Sequence, residues 1–103
     1  MAHTLLQGAE MAQQIHHSPV VEIARRNAHS THIRPGQAVL WAGCARFLAL
    51  ADAGLHGEAA VVFGTTVDVA GFLGVVDARE KMRQCIEGAR ETADSLASMG
   101  ESV

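Results

Sequence analysis

Apolar and polar positions are unevenly spread along this chain, and one stretch stands apart. Between residues 37 and 51 the sole charge is Arg46, in a run of Leu, Ala, Trp and Phe with a single β-branched residue, Val39. That composition favours helix over strand, because unbranched side chains lose little rotamer freedom in a helix. Pro35 suits a first turn, where its missing N–H is not needed. Gly54 suits a helix end, where a left-handed residue closes the last turn. The pattern predicts a helix over residues 35–53, roughly 28 Å long at 1.5 Å per residue. Val39, Ala42, Arg46, Ala49 and Ala53 share one face of it. Leu40, Cys44, Phe47, Leu48 and Ala51 share another, with Trp41 and Ala45 near the border. A helix apolar on nearly every side needs neighbours on every side, so this is the predicted centre of the fold.

The flanking pattern supplies those neighbours. From Thr4, a Thr-x-x-Gln capping box with Gln7 opens a helix whose stripe is Leu5, Ala9, Ala12 and His16. Ile15 lies near the edge of that stripe, and Leu6 and Met11 lie on opposite flanks. Ser18-Pro19 interrupts it and, as N-cap and first helical residue, starts a helix over residues 19–28. That helix shows Val20, Ile23, Ala24 and Asn27 on one side, with Arg25 and Arg26 outward. Residues 29–36 read as a connector ending in Pro-Gly.

Residues 58–76 are ambiguous, since short apolar runs do not reveal their period. One reading is a helix capped by Thr66 or Asp68, with Val69, Phe72, Leu73 and Val76 on one side. The other is a β-hairpin around Gly64-Thr65-Thr66, supported by the alternation at Val67 and Val69. The helix is preferred, because a lone hairpin of this size needs a further strand.

Asp77 and Glu80 give an Asp-x-x-Glu start signal. After them Met82, Cys85, Ile86, Ala89, Ala93 and Leu96 trace an apolar stripe at three- and four-residue steps. Gly71 and Gly74 are expected to permit close packing where this helix meets the preceding one. The predicted fold is all-α: a compact bundle of four or five helices around residues 35–53. It forms a single domain over residues 1–98, with residues 99–103 as a frayed tail.

Composition changes the picture in one respect. Hydrophobic residues make up 49% of the 103 and charged residues 18%, against about 25% charged in a typical soluble domain. Part of the surface is therefore expected to be covered, by another copy or by a larger complex. The formal charge of −3 argues against nucleic acid, which is bound by cationic surfaces. A helix-turn-helix from residues 19–28 and 35–53 fails for a second reason. Its reading helix would be almost wholly apolar, and base edges are read by polar side chains. No basic stretch precedes an apolar core at the N-terminus, so no signal peptide is expected. Residues 37–51 are too short to span a bilayer, and residues 59–76 hold Asp68 and three glycines. Membrane insertion is not expected.

Candidate chemistry is thin. Of the six histidines, His29 and His32 would reach one ion if their segment completed a helical turn. A tetrahedral zinc site needs two more ligands, to be drawn from His16, His56, Cys44, Asp52 or Glu22. Their spacing specifies no such set. Cys44 and Cys85 fall inside helical patterns without a CxxC partner and read as buried free thiols in a reducing, cytoplasmic setting. Gly64-Thr65-Thr66 matches neither a P-loop nor a dinucleotide fingerprint. Arg46, alone in its apolar run, must reach solvent, pair or meet a ligand, and Asp68 is the matching acid. The triplet Trp41-Ala42-Gly43 resembles the Trp-x-Gly in the central turn of small secreted helical-hairpin proteins. Here it sits within a helical run and not between two helices, so no family is carried over.

The functional expectation is a non-catalytic small subunit or self-assembling interaction module without a cofactor. Arg46, Arg25, Arg26, Trp41 and Asp68 are its candidate contact residues. The alternative is a small metal-binding protein or metal-dependent enzyme built on His29, His32, His16 and His56.

Overall fold

A computed structural model describes residues 18–101, which form four helices with no strand among the described residues. They are α1 (Pro19–Ala28), α2 (Pro35–Asp52), α3 (His56–Phe72) and α4 (Ala78–Glu101). The predicted helix from Thr4 lies outside the described residues.

Local chemistry sets the boundaries. Pro19 opens α1 and Pro35 opens α2, each in the first turn. Ser18 occupies the N-cap position but makes no side-chain cap. Its hydroxyl instead donates to Asp52 Oδ2 at 3.4 Å, joining the start of α1 to the last turn of α2. Helix α2 ends in a Schellman arrangement: Gly54 takes φ +79°, and the Leu55 N–H donates to the Leu50 carbonyl at 2.9 Å. Helix α3 ends the same way, with Gly74 at φ +92° and the Val75 N–H on the Ala70 carbonyl at 3.0 Å. Gly74 is thus a helix terminator. Neither it nor Gly71 has anything within 4 Å of where a Cβ would stand, so the predicted close packing there does not occur. The start of α4 also differs from expectation. Asp77 enters at φ +54° and accepts the Lys81 N–H through its backbone carbonyl. Glu80 turns to Arg83, at 3.7 Å.

The hairpin alternative for residues 58–76 is excluded, since Gly64-Thr65-Thr66 lies in mid-helix. Ala59, Thr66 and Ala70 point inward at helical spacing, with Phe63 half-buried between them. A helix closes its own backbone hydrogen bonds, whereas a hairpin here has no third strand to join. The alternation at Val67 and Val69 carries no strand signal: Val67 is half-buried and Val69 exposed.

Leu40, Cys44 and Leu48 of α2 meet Val21 and Ala24 of α1, Ala70 of α3, and Met82, Ile86 and Ala89 of α4 in one core. Helix α1 is rotated slightly from its predicted face, with Val21 fully buried and Val20 and Ile23 only partly so. Beyond Ala93 the stripe of α4 loses its partner. Leu96 is exposed and the helix continues to Glu101, past the predicted end at Ser98.

Helix α2 touches all three others, and so does α4, whereas α1 and α3 do not touch each other. Helices α1 and α3 therefore flank α2, α4 lies across the back, and among the described residues nothing covers the front of α2. No described helix is long and apolar enough to cross a membrane.

Candidate interaction surfaces

The uncovered front of α2 is the alanine-rich face read from the sequence. Ala42, Ala45, Arg46 and Ala49 meet Val21, Arg25, Ala28 and His29 of α1 around a hollow of about 460 Å³. On the other side Val39, Ala42, Gly43 and Arg46 meet Val61, Val62, Thr65 and Thr66 of α3 around one of about 490 Å³. Ala42 and Arg46 belong to both, so the two hollows form one groove along α2 with α1 and α3 as its walls. Small side chains make the floor low. Gly43 also lets the α3 wall come close, since a Cβ there would overlap the Thr66 side chain.

Arg46 stands in this groove, exposed, and forms no ion pair among the described residues. The expected pair with Asp68 is not made. Gly43 lies against Thr66 and Phe47 against Phe63, ring centroids 5.8 Å apart. The antiparallel register therefore places Asp68 roughly one turn nearer the start of α2 than Arg46. Asp68 is exposed on α3. Arg25 lies on the α1 wall and pairs with Glu22 at 3.5 Å, both well exposed, a contact worth a few tenths of a kcal/mol, about 0.5 at most. Arg26 faces a shallow surface depression with Glu22 and His29. Trp41 is on the far side of α2, half-buried against α4 beside Gln37, Lys81 and Cys85. The five candidate contact residues therefore do not form one patch. Arg46 and Arg25 share the groove; Arg26, Trp41 and Asp68 face elsewhere.

A second surface has no counterpart among the candidates. Phe72 is 92% exposed and Val76 70%. Leu73 follows Phe72 in the turn, Val61 and Val69 precede it on the outer side of α3, and all three are exposed. The signal available in the sequence was scarcity of charge, since Asp68 is the only charge in residues 59–76. An element so poor in charge is either enclosed or waiting for cover. Its inner side is held by Phe63, which packs edge-on against Phe47 and lies 5.6 Å beneath the Arg79 guanidinium.

The histidines do not converge. Helix α1 stops at Ala28, and His32 sits in the following turn at φ +71°, so His29 and His32 do not complete a helical turn. His56 opens α3, and His16 lies outside the described residues. No group of three or more His, Cys, Asp or Glu side chains suited to a metal ion occurs among the described residues. The cysteines are free and poorly disposed to react. Burial pushes the Cys44 thiol up to about 12, with the neighbouring Cys85 adding to the rise and Arg90 opposing it. Burial alone pushes Cys85 up to about 11. At neutral pH both are thiols, whereas the nucleophile is the thiolate.

Compared with known protein families, with curated proteins and with solved structures, the chain matches none of them.

Proposed function

We propose that this protein is a non-catalytic module that docks to another protein chain through the outer side of α3 and the turn that follows it. The observation that carries the reading is the run of exposed apolar side chains ending in Phe72, 92% of whose surface is open to solvent. An isolated exposed valine or leucine needs no explanation. A phenylalanine together with Val69, Leu73 and Val76 is the composition of an interface centre, where aromatic anchors carry most of the energy. The first partner to expect is a second copy, since low charge with surplus apolar surface favours self-assembly. A larger complex buries the same residues. Two thiols held protonated inside the bundle fit a reducing, cytoplasmic setting, and the net charge of −3 gives no general attraction for nucleic acid.

Light scattering of the purified full chain and of Phe72→Glu tests this. Wild type is expected to assemble at micromolar concentration, or to bring down a partner in near-stoichiometric amount from native extract. Phe72→Glu is expected to weaken either association at least tenfold with its helix content unchanged. Equal behaviour of the two proteins in both measurements would overturn the reading.

A further inference from the structure

We propose that the groove along α2 binds a molecule with a single carboxylate head and an unbranched alkyl tail, the head at Arg46 and the tail toward α3. The two hollows that make the groove differ in chemistry. Arg25, His29 and Arg46 line the one against α1. Val39, Val61 and Val62 line the one against α3, where Arg46 is the one charged residue. At about 460 and 490 Å³, each has the size of a small-molecule site, roughly 300–1,000 Å³. Ala42 and Arg46 belong to both, so Ala42 is a low saddle between them with Arg46 beside it. Donors stand on one side of that saddle, and valines with two threonines on the other. Such a groove matches an occupant that is polar at one end and apolar at the other.

Charge decides the head. Arg25 and His29 stand four residues apart on α1, His29 being the residue that caps it, so both turn to one side. Their availability differs from that of Arg46. Glu22 holds Arg25 at 3.5 Å, and Glu22 lines the neighbouring depression rather than this hollow. Arg46 forms no ion pair among the described residues. One unneutralised guanidinium matches one negative charge, and its planar fork donates two parallel hydrogen bonds to a carboxylate. Arg25 and the His29 ring N–H are further donors on the α1 side. A second negative charge, as on a phosphate monoester, meets no second free cation among the lining residues.

The tail supplies most of the affinity. Arg46 is exposed, and an ion pair in open water contributes little. A carboxylate hydrogen-bonded there and half-shielded by its own tail accounts for about tenfold. Each methylene fully removed from water adds about fourfold, so a few methylenes along the valines outweigh the head. The head then sets orientation, and the tail strengthens it by excluding water. This inference does not rest on the proposed function, since Phe72, Leu73 and Val76 line neither hollow.

Titration calorimetry of the full chain with dodecanoate, kept below its micelle concentration, tests this. Saturable binding of one molecule per chain is expected. Dodecanoate is expected to bind at least about fivefold tighter than decanoate, short of the roughly fifteenfold that two fully buried methylenes would give. Dodecanol, with the same tail and no charge, is expected to bind about tenfold more weakly, and acetate not at all. Arg46→Gln is expected to weaken dodecanoate about tenfold and to leave dodecanol as it was, a split that loss of the fold would not produce. Glu22→Gln, which releases Arg25, is expected to tighten dodecanoate roughly two- to threefold. Phe72→Glu is expected to change neither ligand. No binding of dodecanoate would overturn the proposal, and a poly-glutamate peptide bound in its place would assign the groove to an acidic protein segment. Equal affinity of wild type and Arg46→Gln for dodecanoate would also overturn it. So would loss of dodecanoate binding in Phe72→Glu, or dodecyl phosphate bound more tightly than dodecanoate.

Discussion

Gly43 has no room for a side chain, because a Cβ on it would overlap Thr66 on the neighbouring helix. Gly43→Ala is therefore expected to push α2 and α3 apart and cost about 1–3 kcal/mol, the usual penalty of overpacking, seen as a lower urea midpoint. The glycine of the Trp-x-Gly triplet is thus explained by packing, while its tryptophan faces a different helix, α4. The two thiols give a prediction of another kind. In the unfolded chain a thiol titrates near pH 8.5, but here burial holds Cys44 to about 12 and Cys85 to about 11. Between those values the unfolded chain has lost protons that the native chain keeps. Stability is accordingly full below about pH 8.5 and falls as pH rises toward the folded values, by up to about 1.4 kcal/mol per pH unit for each thiol. Urea denaturation at pH 7, 9 and 10.5 measures this. Cys44→Ala is expected to flatten the profile, and an unchanged slope in that variant would assign the loss to other groups.

At the scale of elements, α3 is the helix whose sequence says least and whose position matters most. It carries Gly57, Gly64 and Gly71 inside its span, none with anything within 4 Å of a Cβ position. Each weakens the helix by roughly 0.5–1 kcal/mol relative to alanine. Gly64→Ala is accordingly expected to raise stability by about that amount in the isolated protein. Gly74→Ala is expected to lower it by about 1 kcal/mol, because Gly74 holds a left-handed φ of +92°. Differential scanning calorimetry of the pair separates the two roles, and the same sign of change for both would contradict the structure. Helix α4 behaves as its pattern predicts as far as Ala93. Its stripe from Met82 to Ala89 packs into the core that α1, α2 and α3 share with it.

At the scale of the whole molecule, four helices leave two surfaces with different characters: a groove floored by alanines around Arg46, and an apolar ridge that ends at Phe72. Helix α2 was expected to be enclosed on all sides, and among the described residues its front is open because α1 and α3 do not meet. Phe72 bears no load in the monomer fold, being almost fully exposed. Its replacement by glutamate is expected to shift stability by no more than about 0.5 kcal/mol while weakening the assembly proposed above. That contrast, read by urea denaturation beside light scattering, separates a docking residue from a folding one.

The sequence by itself determined the central helix, its two faces, the proline starts of α1 and α2, the Gly54 end and the stripe of α4. These follow from composition, spacing and terminal residues, which act within a few turns of one chain segment. Tertiary structure alone decided between helix and hairpin for residues 58–76, the separation of Arg46 from Asp68, and the scattering of Arg26 and Trp41 away from the groove. It also decided which apolar residues stay exposed. Whether Val61 or Phe72 is covered depends on which neighbour lies across α3, and that is set by how four helices share one small core, a quantity no local pattern contains.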